Sequence, residues 1–342
     1  MKMYYNDIPV TDPGGLTFLN QFAPSSFQSL EIIKGPASSL YGAGTGGAIL
    51  ARSASLTAPG AMLQLNAGSF DYRDLHAAVT TGSGKSTSTL GFQHQQHKGY
   101  RDHSESQRDL FSWTGNFHPG ENAVLTTSFL YGELFYETPG ALTLPEYELN
   151  PRSARPAAGG FPGSATARAS IRQRTVIAGA SYEQQLSSKW KNKTVLYGMF
   201  TELRNPTIRN YEKSALPHYG GRSFFQWNET FGATTIDLNA GGEWQQGSPS
   251  VSVHKSNNGN PDSLRTTDEI RNGQQLVFAQ AGVSYDNWLL TAGISYNRLQ
   301  LEFERFNPAS SGKQRRKLDA ELAPRVALLK KFWFGRSEIN VY

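Results

Sequence analysis

From about Ala61 onward the dominant hydrophobic period is two, and a period of two is what a strand with one apolar and one wetted face requires. Trp288, Leu290, Ala292, Ile294 and Tyr296 share one face, while Leu289, Thr291, Gly293, Ser295 and Asn297 share the other. Ala123, Leu125, Thr127, Phe129 and Tyr131 repeat the arrangement, as do Val176, Ala178, Ala180 and Tyr182. The fold class is therefore all-β.

Connections between these segments alternate in length. Short ones are expected at Thr81 to Lys85, His118 to Asn122, Ser187 to Lys191, Leu238 to Asn239, Asp286 to Asn287 and Phe332 to Arg336. Longer polar stretches lie at Lys98 to Ser106, Tyr136 to Ala169, Pro206 to Gly221, Ser248 to Arg271 and Phe306 to Arg316. Tight turns on one side and long loops on the other are the pattern of an antiparallel barrel that spans an outer membrane, with aromatic ends of the apolar faces as its girdles. Period alone also allows a soluble β-protein with an ordinary core. The alternation yields about thirteen strands, the last at Glu338 to Tyr342. The two outer strands would then carry unpaired edges, so this chain alone is not expected to close. Trp288, Leu290, Ile294 and Phe129 are expected to point away from the lumen.

Composition removes the competing classes. The longest uncharged stretches, Gly35 to Ala51 and Ser53 to Phe70, are filled with Gly, Ser, Thr and Asn, so no helical membrane span is expected. Nineteen Phe, fifteen Tyr and six Trp among 342 residues give ample surface to bury, against disorder. Cysteine is absent, which excludes disulfides and thiolate metal sites. The net charge of +5 is scattered among acids rather than gathered in a stripe, so no nucleic-acid partner is expected. Met1 to Tyr5 leads into no apolar signal-peptide core, so either the protein is not exported or its true N-terminus lies upstream.

Ahead of the alternating region stands Leu30-Glu31-Ile32-Ile33-Lys34-Gly35-Pro36-Ala37-Ser38-Ser39-Leu40-Tyr41-Gly42, followed by Gly46-Gly47-Ala48-Ile49. Leu30 to Ile33 reads as a short strand, Gly35 as a sharp turn, and Pro36 as the first position of a helical turn that Gly42 ends. A second strand is expected at Ala48 to Ala51.

This stretch resembles the plug signature of TonB-dependent outer-membrane receptors, carried by Glu31, Lys34, Gly35, Pro36, Leu40, Tyr41, Gly42, Gly46 and Gly47. Asn6-Asp7-Ile8-Pro9-Val10 is similar to an upstream plug element, and Leu322 to Lys330 to a barrel strand of siderophore receptors. The resemblance implies that residues 1–55 are the C-terminal part of a plug and 56–342 the first part of a barrel of about 22 strands. It also implies that a signal peptide, the first half of the plug and the TonB-contacting segment lie outside this sequence. Ser29 stands where an Arg commonly precedes the Ile-Glu pair, which leaves Lys34 as the expected cation for a plug-to-barrel ion pair.

Several chemical look-alikes fail on context. Gly42 to Gly47 fits a dinucleotide fingerprint, but a strand follows it rather than a helix. Gly82 to Ser86 mimics the end of a phosphate loop but reads as a hairpin turn. His94 and His97, three apart on a strand, face opposite ways, and with Asp102 and His103 they form a solvated loop edge rather than a metal site. No catalytic triad or nucleophile elbow is found, so neither an enzyme nor a cofactor is expected.

The resemblance implies an outer-membrane receptor of a Gram-negative cell, taking up a ferric siderophore or similar chelate with energy delivered through TonB, amid outer-membrane lipid and lipopolysaccharide. Cobalamin, a nickel chelate or an oligosaccharide are alternative ligands, and a non-transporting outer-membrane barrel is the alternative role. Expected ligand contacts are Tyr147, Arg152, Arg155, Phe161 and Arg168 in one loop, and Arg209, Tyr211, His218, Tyr219 and Arg222 in another, because Arg offers forked donors and aromatics cover a chelate's apolar face. If Arg155, Arg209 and Arg222 converge, they form a positive vestibule for an anionic ligand.

Overall fold

The computed structural model describes residues 1–342 except 36–37, 43–45, 55–57, 310–311, 335–336 and 342, with side chains also left undescribed at 317, 333–334 and 337–341. It contains two sheets. The first is small and mixed: β1 (Lys2–Tyr5), β2 (Ile8–Pro9), β3 (Phe27–Ile33) and β4 (Ala48–Ser53), in the order β2-β1-β4-β3. Asn6 and Asp7, at φ 48° and 68°, turn β1 back into β2. β1 runs parallel to β4, and β3 antiparallel to it. Between β3 and β4 lies one 3-10 turn, Ser39–Tyr41, capped by Ser38 Oγ, which accepts from the Leu40 amide at 3.2 Å. Gly42 at φ 82° ends it, as the motif implies, while Pro36 lies outside the described residues.

The second sheet holds β5 (Gly60–Gly68), β6 (Tyr72–Ser83), β7 (Ser86–His97), β8 (Ser106–Gly120), β9 (Ala123–Glu137), β10 (Ser170–Gln185), β11 (Trp190–Pro206), β12 (Asn210–Phe231), β13 (Thr234–Gly247), β14 (Ser250–Asn257), β15 (Asn260–Tyr285), β16 (Trp288–Asn307), β17 (Gln314–Lys317), β18 (Glu321–Phe334) and β19 (Ser337–Val341). Two of the fifteen, β14 and β17, lie off the main path, which leaves the expected thirteen. Both are continuations. β13 and β14 pair with the same two neighbours, β12 and β15, so they form one ascending stave interrupted at Ser248 and Pro249, where proline has no N–H for the ladder. β17 and β18 likewise both lie on β16. The path ends at β5 and β19, each paired on one side among the described residues. No described helix is long and apolar enough to cross a membrane, which says nothing of strands.

The faces follow the alternation. Trp288, Leu290, Ile294 and Tyr296 are 41 to 44% exposed, whereas Ser295 between them is 1% exposed. Phe129 lies on the same side as exposed Tyr131 and packs edge-on against Phe111, while Leu130 on the opposite face is fully buried. From Trp288 to Tyr296 the strand rises about 26 Å, or about 20 Å along a membrane normal after a ~40° tilt, close to the height of an outer-membrane apolar band.

Three expected connections are placed differently. Leu238 and Asn239 lie within β13, and the turn is at Gly232, whose φ of 60° suits a tight reversal. The expected loop Pro206 to Gly221 shrinks to residues 207–209, the rest being strand. Ser248 to Arg271 is a tall β14–β15 hairpin instead of a loop. In the last two cases polar strand reads as loop, because a ladder standing in water satisfies its own backbone and needs no apolar face.

The core is shared between the sheets. Met3, Tyr5, Ile8, Val10, Phe22, Ile49 and Ala51 form one buried cluster with Leu110, Leu130, Ile177, Val195, Tyr197 and Met199 from the inner face of the large sheet.

Candidate functional site

The small sheet is held to the inner wall by a buried ionic junction. Arg222 on β12 and Glu243 on β13 are register partners, both facing inward. Arg222 Nη1 donates to Glu243 Oε2 and to the Leu40 carbonyl, both at 2.9 Å. Lys2 Nζ donates to Glu243 Oε1 at 3.1 Å, and the Tyr4 hydroxyl to Oε2 at 2.9 Å. Burial and the Glu243 carboxylate push the Tyr4 phenol well above its ordinary value, so it stays a neutral donor. Phe278, Phe224, Tyr4 and Tyr41 surround the guanidinium, with ring centroids 4.9 to 5.7 Å from its carbon. The 3-10 turn thus delivers two motif residues, the Leu40 carbonyl and the Tyr41 ring, to one cation.

A second junction lies at the β1–β2 turn. Asp7 takes both guanidinium nitrogens of Arg52 at 2.8 and 2.9 Å and Lys193 Nζ of β11 at 2.9 Å, and Lys193 also reaches Glu183 of β10 at 3.0 Å. Burial raises the Asp7 carboxyl, but Lys193 and Arg52 outweigh it and hold the group below the ordinary 3.8. A carboxyl depressed in the folded state contributes stability above its unfolded value and loses it as pH falls through the lower folded value. Asp7→Asn should therefore cost about 1–2 kcal/mol of small-sheet stability at neutral pH. The difference from wild type should vanish in acid well below pH 3.8, as amide exchange at β1 and β2 across that range would report.

Hydrogen bonds complete the contact. Ser38 Oγ donates to Gln280 Oε1 at 2.6 Å, and Asn6 Nδ2 reaches Ser128 Oγ at 3.0 Å. Lys34 is exposed and forms no ion pair among the described residues, so the expected cation is replaced by Lys2 and Arg222. Glu31 is likewise exposed on β3. Gly35 and Gly47 adopt φ of 73° and 95°, and Gly46 does not.

At the far end of the strands, residues 138–169 form the longest connection. Within it a short helix, α1 (Leu144–Leu149), is held by a Thr143 and Glu146 capping box and carries Tyr147 exposed on its surface. Arg152 donates to the Tyr100 carbonyl at 3.2 Å and lies over its ring. Arg155 donates to the carbonyls of Pro156 and Pro162 within its own loop. Arg209, in the 207–209 turn, stacks on Phe161 at 4.0 Å. Arg168 abuts the hairpin tip at Gly259.

The other expected contacts are not loop residues. Tyr211, His218, Tyr219 and Arg222 are all on β12: Tyr219 faces outward, 52% exposed and edge-on to Trp244, while His218 and Arg222 are buried inside. Arg155, Arg209 and Arg222 have three separate sets of partners, so the vestibule built on all three does not form. Of the polar inner-face residues only His218 was expected, and as a loop residue; Tyr197, Gln245 and Gln173 were missed. Tyr197 hydroxyl, His218 Nε2, Gln245 Oε1 and Gln173 Oε1 are buried without hydrogen-bond partners, and the Tyr197 and His218 rings lie 6.0 Å apart. The signal available was their parity: each lies on the face opposite the outward aromatics. No cluster of three metal-ligating side chains occurs among the described residues.

Residues 1–49 match the family model described as the TonB-dependent receptor plug domain. The whole chain is similar in fold to the ferric citrate transporter FecA in its unliganded form (13% identity, TM-score 0.78, 99% of this chain and 52% of that one). It is also similar to the siderophore receptor PiuA from Acinetobacter baumannii (12% identity, TM-score 0.71, 96% and 54%). The alcaligin outer-membrane receptor FauA from Bordetella pertussis matches at 12% identity and TM-score 0.71, over 96% and 51%. The chain spans about half the length of these structures.

Proposed function

We propose that this chain, a TonB-dependent receptor plug joined to the first strands of its barrel, is part of an outer-membrane receptor of a Gram-negative cell that takes up a ferric siderophore or similar iron chelate. The observation that carries the reading is the plug motif seated by Arg222 and Glu243 on the inner face of a wall whose outer face is apolar. We place the boundary between plug and barrel near residue 55. A plug held by buried ion pairs does not leave the lumen unaided, because separating them exposes uncompensated charge. That is the physical need for TonB, acting through a segment outside this chain. The outer contacts fall to Tyr147, Arg152, Phe161, Arg168 and Arg209 at the loop end, and the inner polar groups Tyr197, His218 and Gln245 are buried on the inner face of the wall.

The test is uptake of radiolabelled ferric siderophores by cells that produce the complete receptor and lack their own. Uptake that requires TonB supports the proposal. Uptake of cobalamin, nickel chelate or oligosaccharide in its place reassigns the ligand, and uptake unaffected by TonB loss removes the mechanism.

The membrane reading has its own test. Ala292→Arg places a cation at the middle of the apolar outer band and should destabilise the bilayer-inserted receptor by about 2–4 kcal/mol. Ser295→Ala on the inner face should have a much smaller effect. Equal effects in urea titrations of the reconstituted protein would argue against a lipid-facing surface.

A further inference from the structure

The neck of the longest outer connection is closed by one side chain from a neighbouring loop. Residues 98–105, between β7 and β8, stand at the same end of the wall as residues 138–169. Arg101 Nη1 donates to the Gly140 carbonyl at 2.7 Å, while Nε and Nη2 both donate to the Ser153 carbonyl, at 3.1 and 2.7 Å. Gly140 precedes α1 and Ser153 follows it, so a single guanidinium gathers both ends of the excursion 141–152. That excursion carries Tyr147 and Arg152, two of the outer contacts assigned above. Bringing the ends of a flexible loop together has an entropic cost, which a planar, pre-organised fork offsets with three hydrogen bonds from one side chain. Arg101 forms no ion pair among the described residues, and its donors go to these main-chain carbonyls.

Both sides of the clasp are themselves braced. Gly99, at φ 76°, turns the chain where a side chain would strike Ser104, and Ser104 Oγ accepts from the Arg101 amide at 3.2 Å. The Asp102 amide donates to the Arg152 carbonyl at 2.7 Å. His103 Nε2 lies 2.8 Å from the Ala169 carbonyl, at the base of the same long connection. Within the neck the Arg155 amide donates to the Pro139 carbonyl at 2.7 Å. Gly140, at φ 75°, passes so close to Arg155 that an added Cβ would stand 2.9 Å from the Arg155 Cβ.

We propose that Arg101 is a positioning residue for the chelate: it clasps the neck of the excursion 141–152 and holds Tyr147 and Arg152 in place before a ligand arrives. The inference rests on the receptor reading and on the outer contacts assigned there. Arg101 reaches the excursion through backbone carbonyls, so it acts on where those side chains stand. A site whose binding-competent arrangement is only fractionally populated binds more weakly by that fraction, and the clasp keeps the fraction high.

The test compares the complete receptor as wild type, Arg101→Gln, Arg101→Lys and Gly140→Ala. The probes are iron-labelled ferric citrate, a ferric tris-catecholate and a ferric tris-hydroxamate, and amide exchange is followed in the same samples. In Arg101→Gln the amides of Asp102 and Arg155 should exchange faster and those of β8 and β9 should not. The concentration of the bound chelate at half-saturation should rise on the order of tenfold, with the saturated uptake rate unchanged. Lysine, a point donor that cannot fork onto two carbonyls, should recover only part of the affinity. Gly140→Ala keeps the cation but disturbs the neck through its positive φ and its contact with Arg155, so it should reproduce the loss. If Gly140→Ala binds as wild type does while Arg101→Gln does not, Arg101 acts on the chelate by its charge and the positioning role is overturned. Unchanged exchange in Arg101→Gln would overturn the clasp, and equal affinity in all four proteins would overturn this inference alone. A wild type that binds none of the three chelates would overturn the receptor reading, and this assignment with it.

Discussion

Glu243→Leu in the complete receptor should unseat the plug. The substitution leaves Arg222 and Lys2 buried at the wall with no carboxylate, and removal of one partner from a buried pair typically costs about 3–5 kcal/mol. Amides of β1 and β4 should lose protection from exchange by that amount, while those of β9 and β10, packed in their own ladder, should not. A second variant separates charge from packing. Arg222→Met combined with Glu243→Leu removes both main charges and should recover a large part of the loss, because the cage of Tyr4, Tyr41, Phe224 and Phe278 accepts an apolar side chain. If the double variant is as weak as the sum of the singles, the junction is not an ion pair in energetic terms.

Gly47→Ala should be nearly as damaging, and Gly46→Ala should not. At Gly47, φ is 95° and an added Cβ would stand 2.0 Å from the Ile33 carbonyl oxygen, a backbone atom between two paired strands that cannot retreat. Left-handed strain and this clash together should cost about 3 kcal/mol or more. At Gly46 φ is not positive and the nearest atom is the Met1 nitrogen at 3.1 Å, so a methyl needs only a small shift. Comparing the fraction of plug protected from protease in the two variants decides the point. Equal protection would mean that the second glycine of the pair is not required by backbone geometry.

The wall was legible because period two survives any detail of pairing. Trp288 to Tyr296 specified its own faces, and the turns at Asp286 and Gly84 were marked by residues that favour reversals. Strand tops were not legible. Pro206 to Gly221 carries too little apolar contrast to distinguish strand from loop, and a water-exposed ladder leaves no hydrophobic trace. The plug motif announced its turn and its glycines. Arg222 was visible only as one more cation after a polar stretch. Its role depends on Leu40, Tyr4 and Glu243, which lie far away in sequence and meet it only through register and inward parity. For the same reason Lys34 looked the better partner for the wall: proximity in sequence to the motif said nothing about which side of β3 faces the barrel.

Residues 1–342 contain no cysteine, so within them an engineered pair has no competing thiol. A Cβ built at Gly293 of β16 lies 3.0 Å from Ser39 Cβ in the plug turn, closer than the roughly 3.5–4.5 Å a disulfide spans, so the turn must draw back by about half an ångström for the bond to form. Ser39→Cys together with Gly293→Cys, in the complete receptor within oxidised outer membranes, should form an intramolecular disulfide in nearly every molecule, seen as a reductant-sensitive shift on a denaturing gel. Free thiols at both positions in folded, membrane-inserted receptor would contradict a plug lodged against the inner face of this wall.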